Sequence, residues 1–354
     1  MKKNILIATG GSGGHMIPAT VFYSHLKKKF NIYLSSDLRG LNYIDKKNYN
    51  IEIIETPNIF NNFFLIPIKM IIILALSIKS IFFLKNKKID IILSTGGYAP
   101  TPICLAGIFL RLKLYIYEPN NVLGKSNKFF LRYCNKIFCH NNQIKNFQNK
   151  FKTKIFLLSP LVRKDFYKNK LRKNKKLNLM VIGGSQGAKI FDEYLHKVFL
   201  KISKKIDLRI FHQTKLNNIN KLKNFYNKND INNKVFNFDK NFVNFIKKCN
   251  FCITRAGAST LAELFILNIP FLAIPLPSAK DNHQYENAKY YKDRNCCWIV
   301  DEKKINEDKL YRVLKNIILK KEELFKKKKL LNKLSKNISW SNQAKIIIRE
   351  LNEN

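Results

Sequence analysis

Four glycines and a histidine stand together in GGSGGH, residues 10–15, directly after a short apolar run. Glycine accepts positive φ angles and lets a ligand approach the backbone without meeting a Cβ atom. A helix that follows such a turn offers N–H groups without partners and the positive end of its dipole, which suits a phosphate. Histidine is the side chain best placed to take a proton near neutral pH. The stretch therefore predicts a phosphate-binding turn with His15 as a general base.

Two further glycine-rich turns, STGGYAPTP (94–102) and GGSQGA (183–188), also follow apolar runs. Any one of them could be an ordinary tight turn, but three such turns favour ligand binding. The standard nucleotide motifs do not fit. A dinucleotide fingerprint from Gly11 would need a glycine where Met16 stands, and Gly-Lys-Ser/Thr occurs in none of the three turns. These departures disfavour a hydride-transfer enzyme and an NTPase.

The segment TRAGASTLAELFILNIPFLAIPLPSAKDNHQYENA, residues 254–288, is the richest in polar groups after an apolar run. Gly257 to Thr260 predicts a helix N-terminus. Glu263 lies about one turn inside it, where a carboxylate can accept both hydroxyls of a ribose. The alternative is an acid that only complements the helix dipole. Gln284 and Asn287 are expected to open the next helix, either as a face that contacts sugar or base or as a solvated turn.

The elements that must position these groups alternate between apolar β-branched runs and helical patterns in both halves of the chain. Continuous apolar runs are typical of strands buried on both faces of a parallel sheet. The predicted strands are Asn4–Thr9, Asn31–Ser36, Ile51–Thr56, Ile89–Thr95, Lys113–Tyr117, Lys136–His140, Leu177–Ile182, Leu208–His212, Lys234–Phe238, Phe251–Thr254, Phe271–Pro275 and Cys297–Val300. Helical spacing predicts that Pro18, Val21, Phe22, His25 and Leu26 share one packing face.

A length of 354 residues suits two domains of ordinary size. The pattern restarts after LSPLVRKDFYKNKLRKNKK, which is polar and basic beyond Arg163 and predicts a linker. We expect two α/β domains, residues 1–162 and 163–339, with a C-terminal helix at about 340–354 that packs back on the first domain.

The chain is strongly basic, with 65 Lys and Arg against 24 Asp and Glu and a net charge of +41. Such a charge indicates either a polyanionic partner or a compositional bias, and the even scatter of the lysines favours bias. No arginine-rich tail or zinc-finger spacing supports a nucleic-acid-binding protein. The seven cysteines show no disulfide or metal-ligand framework, and we expect buried, reduced thiols.

The apolar segment FFLIPIKMIIILALSIKSIFFL, residues 63–84, is long enough to span a bilayer. Pro67, Lys69 and Lys79 interrupt it, and a charge at bilayer depth costs roughly 2.5–3.5 kcal/mol. The segment therefore predicts a core helix or a face that lies on a membrane surface.

The blocks GGSGGHMIPA, STGGYAPTP, YEPNN, GGSQGA and TRAGASTLAEL…IPFLAIPLPSAKDNHQYENA run in order through most of the chain. Together they resemble the signature blocks of the bacterial N-acetylglucosaminyltransferases that convert lipid I to lipid II in peptidoglycan synthesis. The resemblance implies a GT-B glycosyltransferase with two Rossmann-like domains facing across a cleft. It also implies inverting, metal-independent transfer of GlcNAc from UDP-GlcNAc to the C4 hydroxyl of MurNAc in undecaprenyl-pyrophosphoryl-MurNAc-pentapeptide, with no cofactor.

The resemblance also assigns site residues by position. His15 falls on the family's base. The acceptor side would be formed by Gly10, Gly11, Gly96, Gly97 and Tyr98. The UDP-GlcNAc side would be formed by Ser12, Gly13, Gly14, Asn120, Arg163, Ser185, Asp239, Ala258, Ser259, Thr260, Leu261, Ala262, Glu263 and Gln284.

The resemblance further implies a peripheral protein on the cytoplasmic face of the bacterial inner membrane, acting in cell-wall biogenesis, cell shape and cell division. Its partners would be UDP-GlcNAc, lipid I, the anionic membrane surface and other cell-wall synthesis proteins, but not nucleic acid. A basic ring around the apolar segment would consist of Lys69, Lys79, Lys85, Lys87 and Lys88. The alternatives are another GT-B enzyme acting on a membrane lipid, a non-catalytic nucleotide-sugar sensor and a basic nucleic-acid-binding protein.

Overall fold

The computed structural model describes residues 2–58, 63–167, 176–184, 187–237, 239 and 242–353. The chain divides into two compact units. One contains residues 1–163 and 339–354, and the other contains residues 164–338.

Each unit is built on one parallel sheet, so the predicted α/β class is confirmed. The first sheet has the order β3-β2-β1-β4-β5-β6-β7 and the second β10-β9-β8-β11-β12-β13. The strands are β1 (Asn4–Ala8), β2 (Asn31–Ser36), β3 (Ile51–Ile53), β4 (Ile91–Ser94), β5 (Lys113–Glu118), β6 (Lys136–Cys139), β7 (Ile155–Leu157), β8 (Leu177–Ile182), β9 (Leu208–Gln213), β10 (Asn232–Phe236), β11 (Phe251–Thr254), β12 (Phe271–Ala273) and β13 (Cys297–Ile299).

Helices connect the strands and cover both sheets. They are α1 (Gly13–Leu26), α2 (Ile66–Asn86), α3 (Thr101–Phe109), α4 (Lys125–Phe130), α5 (Lys164–Tyr167), α6 (His196–Ser203), α7 (Ile219–Lys228), α8 (Phe242–Ile246), α9 (Ala258–Ile266), α10 (His283–Lys292), α11 (Glu307–Leu319), α12 (Lys321–Ser335) and α13 (Trp340–Glu353). A π-helical turn, Phe191–Leu195, leads into α6.

Two apolar layers sandwich the first sheet because neighbouring strand residues point to opposite faces. Ile7 on β1 belongs to the layer that holds Phe22 of α1 and Ile347 of α13. Leu6 belongs to the opposite layer, which Leu84 of α2 joins. That second layer also contains residues of α3 and α4. The five apolar-face positions predicted for α1 are all buried.

One core cluster lies in the second unit. It joins strand residues of β8 and β11 to the helical face formed by Phe191, Leu195, Val198, Phe199 and Ile202. The aliphatic face of α11 completes this cluster.

The sequence-based bounds differ from the structure mainly at strand ends. Three predicted strands have the observed bounds, namely Asn31–Ser36, Leu177–Ile182 and Phe251–Thr254. The pattern misses β7, a three-residue edge strand that is too short to show a periodicity. It also places Phe166 in a linker, whereas Phe166 is buried on α5. Residues 168–175 of that predicted linker lie outside the described residues.

Candidate functional site

The glycine turns lie where the strand order reverses in each sheet. In the first unit β1 has β2 on one side and β4 on the other, so the turns after β1 and β4 leave the same edge side by side. Ligands of open α/β sheets bind at such switch points, outside the carboxyl ends of the strands. GGSGGH follows β1 and STGGYAPTP follows β4, so the structure brings two of the predicted turns together.

His15 connects these two turns. Its Nδ1 lies 2.8 Å from the carbonyl oxygen of Thr95. A carbonyl oxygen only accepts hydrogen bonds, so Nδ1 carries the hydrogen and donates it. In the neutral ring the lone pair is therefore on Nε2, which is the atom that can take a proton. This geometry fits the role of general base predicted for His15.

Two glycines form the wall against which the imidazole rests. Gly96 and Gly97 have φ angles of +88° and +83°, which side-chain-bearing residues rarely adopt. A Cβ atom on Gly97 would lie 3.2 Å from Cδ2 and 3.3 Å from Nε2 of His15. A Cβ atom on Gly96 would lie 3.4 Å from Cε1. Glycine at both positions thus allows the ring to lie directly against the backbone.

Asp37 anchors the first glycine turn, although sequence reasoning did not single it out. This carboxylate follows β2 and is 1% exposed. Its Oδ1 accepts N–H groups from Gly11 at 2.7 Å and Gly40 at 3.0 Å. Its Oδ2 pairs with the exposed guanidinium of Arg39 at 2.8 Å. The guanidinium carbon of Arg39 lies 5.1 Å from the ring centre of Tyr98. The Arg39 cation therefore lies between the first glycine turn, which Asp37 binds, and the second, which contains Tyr98.

Glu118 organises the YEPNN block from the end of β5 and was also missed. Its Oε1 accepts the backbone and side-chain N–H groups of Asn120, at 3.1 and 3.0 Å. Its Oε2 accepts from Gly124 and from Asn127 Nδ2, both at 2.9 Å. Asn127 in turn lies beside Gly96, where a Cβ atom would meet its amide at 3.2 Å. Asn127 and His15 are therefore both neighbours of Gly96, and Glu118 joins Asn127 to Asn120. An acid at the end of a mostly apolar strand, directly before the YEPNN turn residues, was the signal that could have revealed it.

The second unit repeats the arrangement. β8 lies between β9 and β11, so the turn after β8 and the N-terminus of α9 after β11 lie at one switch point. The N–H of Arg255 donates to the carbonyl of Ile182, the last residue of β8, at 3.3 Å. Ser185 of the third turn lies outside the described residues.

The turn before α9 is held rigidly by Arg255. Its guanidinium donates to the carbonyl of Ile274 at 3.2 Å and pairs with Glu302. It also lies 5.0 Å from the ring centre of Phe191. Burial lowers the pKa of Arg255 to about 10, still well above neutral pH. These contacts position the start of α9, which begins at Ala258 after an extended Gly257 as predicted.

Residues 258–263 form the first turns of α9, so the structure places Ala258, Ser259, Thr260, Leu261, Ala262 and Glu263 together. The buried hydroxyl oxygen of Ser259 has no hydrogen-bond partner among the described residues. Glu263 is 6% exposed, one turn inside the helix. A buried polar oxygen without a partner at a helix N-terminus is a position where an anionic or hydroxylated ligand gains a hydrogen bond.

Helix α10 braces the same turn. Gln284 lies in its first turn, and its Oε1 accepts the N–H of Leu276 at 2.7 Å. The buried Asn287 donates to the carbonyl of Ala256 at 3.4 Å. The oxygen of the Gln284 amide therefore holds the loop after β12.

The remaining predicted residues are more dispersed. Arg163 is half-buried at the end of the first unit. Asp239 is half-buried, and its carbonyl accepts the N–H of Phe242 at 3.0 Å. Within the described ranges no group of three or more His, Cys, Asp and Glu side chains could hold a metal ion. All seven cysteines are buried and unbridged, as expected.

Comparisons with known proteins show the family to which the chain belongs. Residues 5–139 match the glycosyltransferase family 28 N-terminal domain, and residues 178–340 match the family 28 C-terminal domain. The UDP-N-acetylglucosamine–N-acetylmuramyl-(pentapeptide) pyrophosphoryl-undecaprenol N-acetylglucosamine transferase of Pelagibacter ubique (strain HTCC1062) is 48% identical over 357 residues and is covered completely, as is this chain. The transferase of the same name from Rickettsia prowazekii (strain Madrid E) is 35% identical, covering 92% of this chain and 93% of the relative.

Among solved structures, Acinetobacter baumannii MurG superposes with a TM-score of 0.76 at 22% identity, covering 99% of this chain and 100% of that one. Two parallel-sheet domains, each matched by a glycosyltransferase family 28 model, confirm the predicted GT-B glycosyltransferase fold. The chain belongs to glycosyltransferase family 28.

Proposed function

We propose that this enzyme transfers GlcNAc from UDP-GlcNAc to the C4 hydroxyl of MurNAc in undecaprenyl-pyrophosphoryl-MurNAc-pentapeptide, lipid I, and thereby forms lipid II for peptidoglycan synthesis. The full-length identity of 48% to a transferase whose name states this activity supports the proposal. The geometric observation that carries it is His15, whose Nδ1–H is held by the Thr95 carbonyl and whose Nε2 is left as the basic atom.

The first unit would supply the base and bind the acceptor. Nε2 of His15 takes the proton of the C4 hydroxyl as its oxygen forms a bond to C1 of GlcNAc. The bond from C1 to the UDP oxygen breaks on the opposite face of the sugar, so the anomeric configuration inverts. Gly10, Gly11, Gly96, Gly97 and Tyr98 are the proposed acceptor-binding residues.

The second unit would hold most of the donor. The N-terminus of α9 directs N–H groups and its positive dipole end toward the diphosphate, whose negative charge increases as UDP leaves. The buried hydroxyl of Ser259 is an additional donor there. Glu263 is proposed to accept the ribose hydroxyls, and Gln284 is proposed to contact the sugar. We assign the UDP-GlcNAc side also to Ser12, Gly13, Gly14, Asn120, Arg163, Ser185, Asp239, Ala258, Thr260, Leu261 and Ala262.

Radiolabelled UDP-GlcNAc with a water-soluble lipid I analogue tests the activity directly. We expect disaccharide product with or without added divalent cation. A folded enzyme that releases no labelled product from this pair, but does so with a diacylglycerol acceptor, would refute the proposal in favour of a different lipid glycosyltransferase.

A histidine pair tests the base. His15→Ala is expected to lower kcat about 10²–10⁴-fold with a smaller change in KM, because general-base catalysis contributes that much. His196 is a matched control: it is half-buried, and its Nδ1 lies 2.7 Å from the carbonyl oxygen of Asp192. His196→Ala is expected to leave kcat within about threefold. Near-normal turnover by His15→Ala would remove the base assignment but not the activity.

We place the enzyme as a peripheral protein on the cytoplasmic face of the inner membrane, with the bared face of α2 as its docking surface. Ile71, Leu74 and Phe82 are 67%, 63% and 65% exposed. Within the described residues α2 is the one helix long and apolar enough to cross a bilayer, and 17% of its most apolar stretch is buried. The exposed lysines that follow and flank it add attraction to anionic lipid, about 1 kcal/mol each.

Flotation with neutral phosphatidylcholine vesicles tests this docking. Ile71→Ser/Leu74→Ser is expected to reduce the bound fraction by at least about tenfold, because each side chain would otherwise bury apolar area worth about 1.5–3 kcal/mol. Unchanged flotation of this variant would argue against α2 as the docking surface. A membrane position also brings the enzyme to the other cell-wall synthesis proteins that handle its lipid-linked substrate.

A further inference from the structure

Lys215 lies in the second unit, directly after the end of β9 and beside the third glycine turn. Its aliphatic stem contacts the backbone of Gly187 in that turn. A Cβ atom on Gly187 would lie 3.0 Å from Cγ, 3.4 Å from Cε and 3.7 Å from Cδ of Lys215. We propose that Lys215 is a donor-binding residue whose ammonium group pairs with the diphosphate of UDP-GlcNAc and stabilises it as UDP leaves. The inference rests on the proposed function and adds a cation to its donor side.

The strand order places Lys215 between two segments that are assigned to the donor. In the second sheet β9 lies between β8 and β10. The third glycine turn follows β8, and Asp239 follows β10. Neighbouring strands lie about 4.8 Å apart, and the carboxyl ends of parallel strands meet at one edge of the sheet. A ligand that extends from the turn after β8 to Asp239 therefore passes the end of β9, where Lys215 begins the connection to α7.

Gly187 leaves the room that the lysine stem needs. Its φ angle is +68°, in the left-handed region that favours glycine. Any other residue there would also place a Cβ atom only 3.0 Å from Cγ of Lys215, so the stem would have to move away. Glycine at this position thus keeps the stem of Lys215 in direct contact with the turn that is predicted to bind phosphate.

Hydrogen bonds fix the backbone on both sides of Lys215. Oδ2 of Asp192 accepts the hydroxyl of Thr214 at 2.6 Å and Nδ2–H of Asn218 at 2.8 Å. Asp192 belongs to the π-helical turn that follows the third glycine turn, and such turns are frequent at functional sites. The carbonyl oxygen of Thr214 accepts Nδ2–H of Asn237, after β10, at 2.8 Å. The start of the connection is therefore held by the loops on both sides of it.

The ammonium group of Lys215 is available to a ligand. Lys215 is exposed, and its side chain makes no ion pair or hydrogen bond with a residue that the structure describes. The nearby carboxylate of Asp192 is already engaged, because Oδ2 accepts two hydrogen bonds and Oδ1 lies 3.4 Å from Nε2 of the buried His212. Lysine binds phosphate as a compact point charge. The free cation beside the third turn is therefore suited to a diphosphate.

The proposed reaction needs a cation at this position. When the bond from C1 of GlcNAc to the UDP oxygen breaks, the electron pair stays on that oxygen, and the diphosphate gains a negative charge. The N-terminus of α9 offers only about half an elementary charge. A full positive charge on Lys215 would interact more strongly with the departing UDP than with the intact donor, and such a difference lowers the barrier of the reaction.

Binding of UDP and of uridine to the full-length enzyme tests the pairing, because the two ligands share base and ribose and differ in the diphosphate. Lys215→Gln is expected to bind UDP about tenfold more weakly, which corresponds to about 1.4 kcal/mol. Its affinity for uridine, measured by ligand-detected NMR, is expected to stay within about twofold of wild type. Lys215→Arg keeps the charge and is expected to bind UDP within about threefold of wild type. In steady-state kinetics, Lys215→Gln should lower kcat/KM for UDP-GlcNAc at least about tenfold and leave KM for the acceptor analogue unchanged.

Lys223 supplies the matched control. It is exposed on α7, in the same connection between β9 and β10, and Lys223→Gln is expected to bind UDP within about twofold of wild type. Equal losses in Lys215→Gln and Lys223→Gln would show only diffuse charge attraction and would overturn the inference. Unchanged UDP binding by Lys215→Gln would also overturn it. An equal loss of UDP and uridine would do the same, because it would indicate a contact with the nucleoside.

The binding measurement needs no acceptor, so it separates this inference from the proposed function. A wild-type enzyme that binds UDP but forms no disaccharide would refute the transferase activity alone. Wild-type kcat/KM and wild-type UDP affinity in Lys215→Gln would refute the role of the lysine alone. A wild-type enzyme that does not bind UDP would refute the donor site and the role of Lys215 together.

Discussion

Gly97→Ala probes whether the wall behind the imidazole sets the position of the base. The new Cβ atom would lie 3.2 Å from Cδ2 of His15, whereas carbon atoms in contact normally stay about 3.7 Å apart. The ring must therefore move by about 0.5 Å. A misplacement of 1 Å can cost about 10²-fold, so we expect kcat to fall about tenfold.

The variant also carries backbone strain that must be separated from this effect. Gly97 has φ +83°, and a left-handed conformation costs an alanine roughly 1–2 kcal/mol of stability. Gly184 has φ +80°, and no atom of the described residues lies within 4 Å of the position that a Cβ would take, so Gly184→Ala carries the strain without the contact. Chemical denaturation should show similar stability losses for both variants.

A double-mutant cycle decides the mechanism. Steady-state kinetics with the water-soluble acceptor analogue would compare Gly97→Ala in the wild-type and His15→Ala backgrounds. Once the ring is absent, we expect the glycine substitution to change kcat by less than about twofold. An equal tenfold loss in both backgrounds would refute the reasoning that Gly97 acts through His15, as would wild-type turnover of the single variant.

Three further predictions follow from buried polar groups. His25 is 4% exposed and stacked on Trp340, and burial lowers its pKa to about 4, so the unfolded chain binds its proton more readily. The stability that the neutral His25 ring contributes is complete above pH 6.5 and declines as the pH falls toward 4. We expect the free energy of unfolding, measured by denaturant titration, to fall by about 2 kcal/mol between pH 7.5 and 5. This loss should be absent in His25→Phe. Glu118→Gln replaces an oxygen that accepts two N–H groups by an NH2 group. We expect the free energy of unfolding in the same assay to fall by about 2–3 kcal/mol, whereas the control Glu322→Gln, at an exposed position, should leave it unchanged. Ser259→Ala removes a buried hydroxyl without a protein partner among the described residues, so the free energy of unfolding should stay equal or rise. The affinity for UDP-GlcNAc, measured by calorimetry, should fall about tenfold. Unchanged affinity would contradict a ligand contact at Ser259.

The sequence alone identified the strands that carry the site. Largely apolar runs predicted the bounds of β2, β8 and β11, because strands buried on both faces of a parallel sheet are mostly apolar. The glycine turns and His15 were visible because their chemistry depends on a few neighbouring residues. The order of the family blocks then indicated the fold and the reaction.

The tertiary structure decided which distant residues complete the site. Asp37 is 26 residues from Gly11, and Thr95 is 80 residues from His15, so no local pattern could pair them. Strand order alone brings the ends of β1, β2, β4 and β5 to one edge. The exposed face of α2 was likewise undecided, because a run of apolar residues predicts burial without saying against what. The histidine could be chosen from the sequence, but which of its nitrogens is basic followed only from the carbonyl that the fold places beside it.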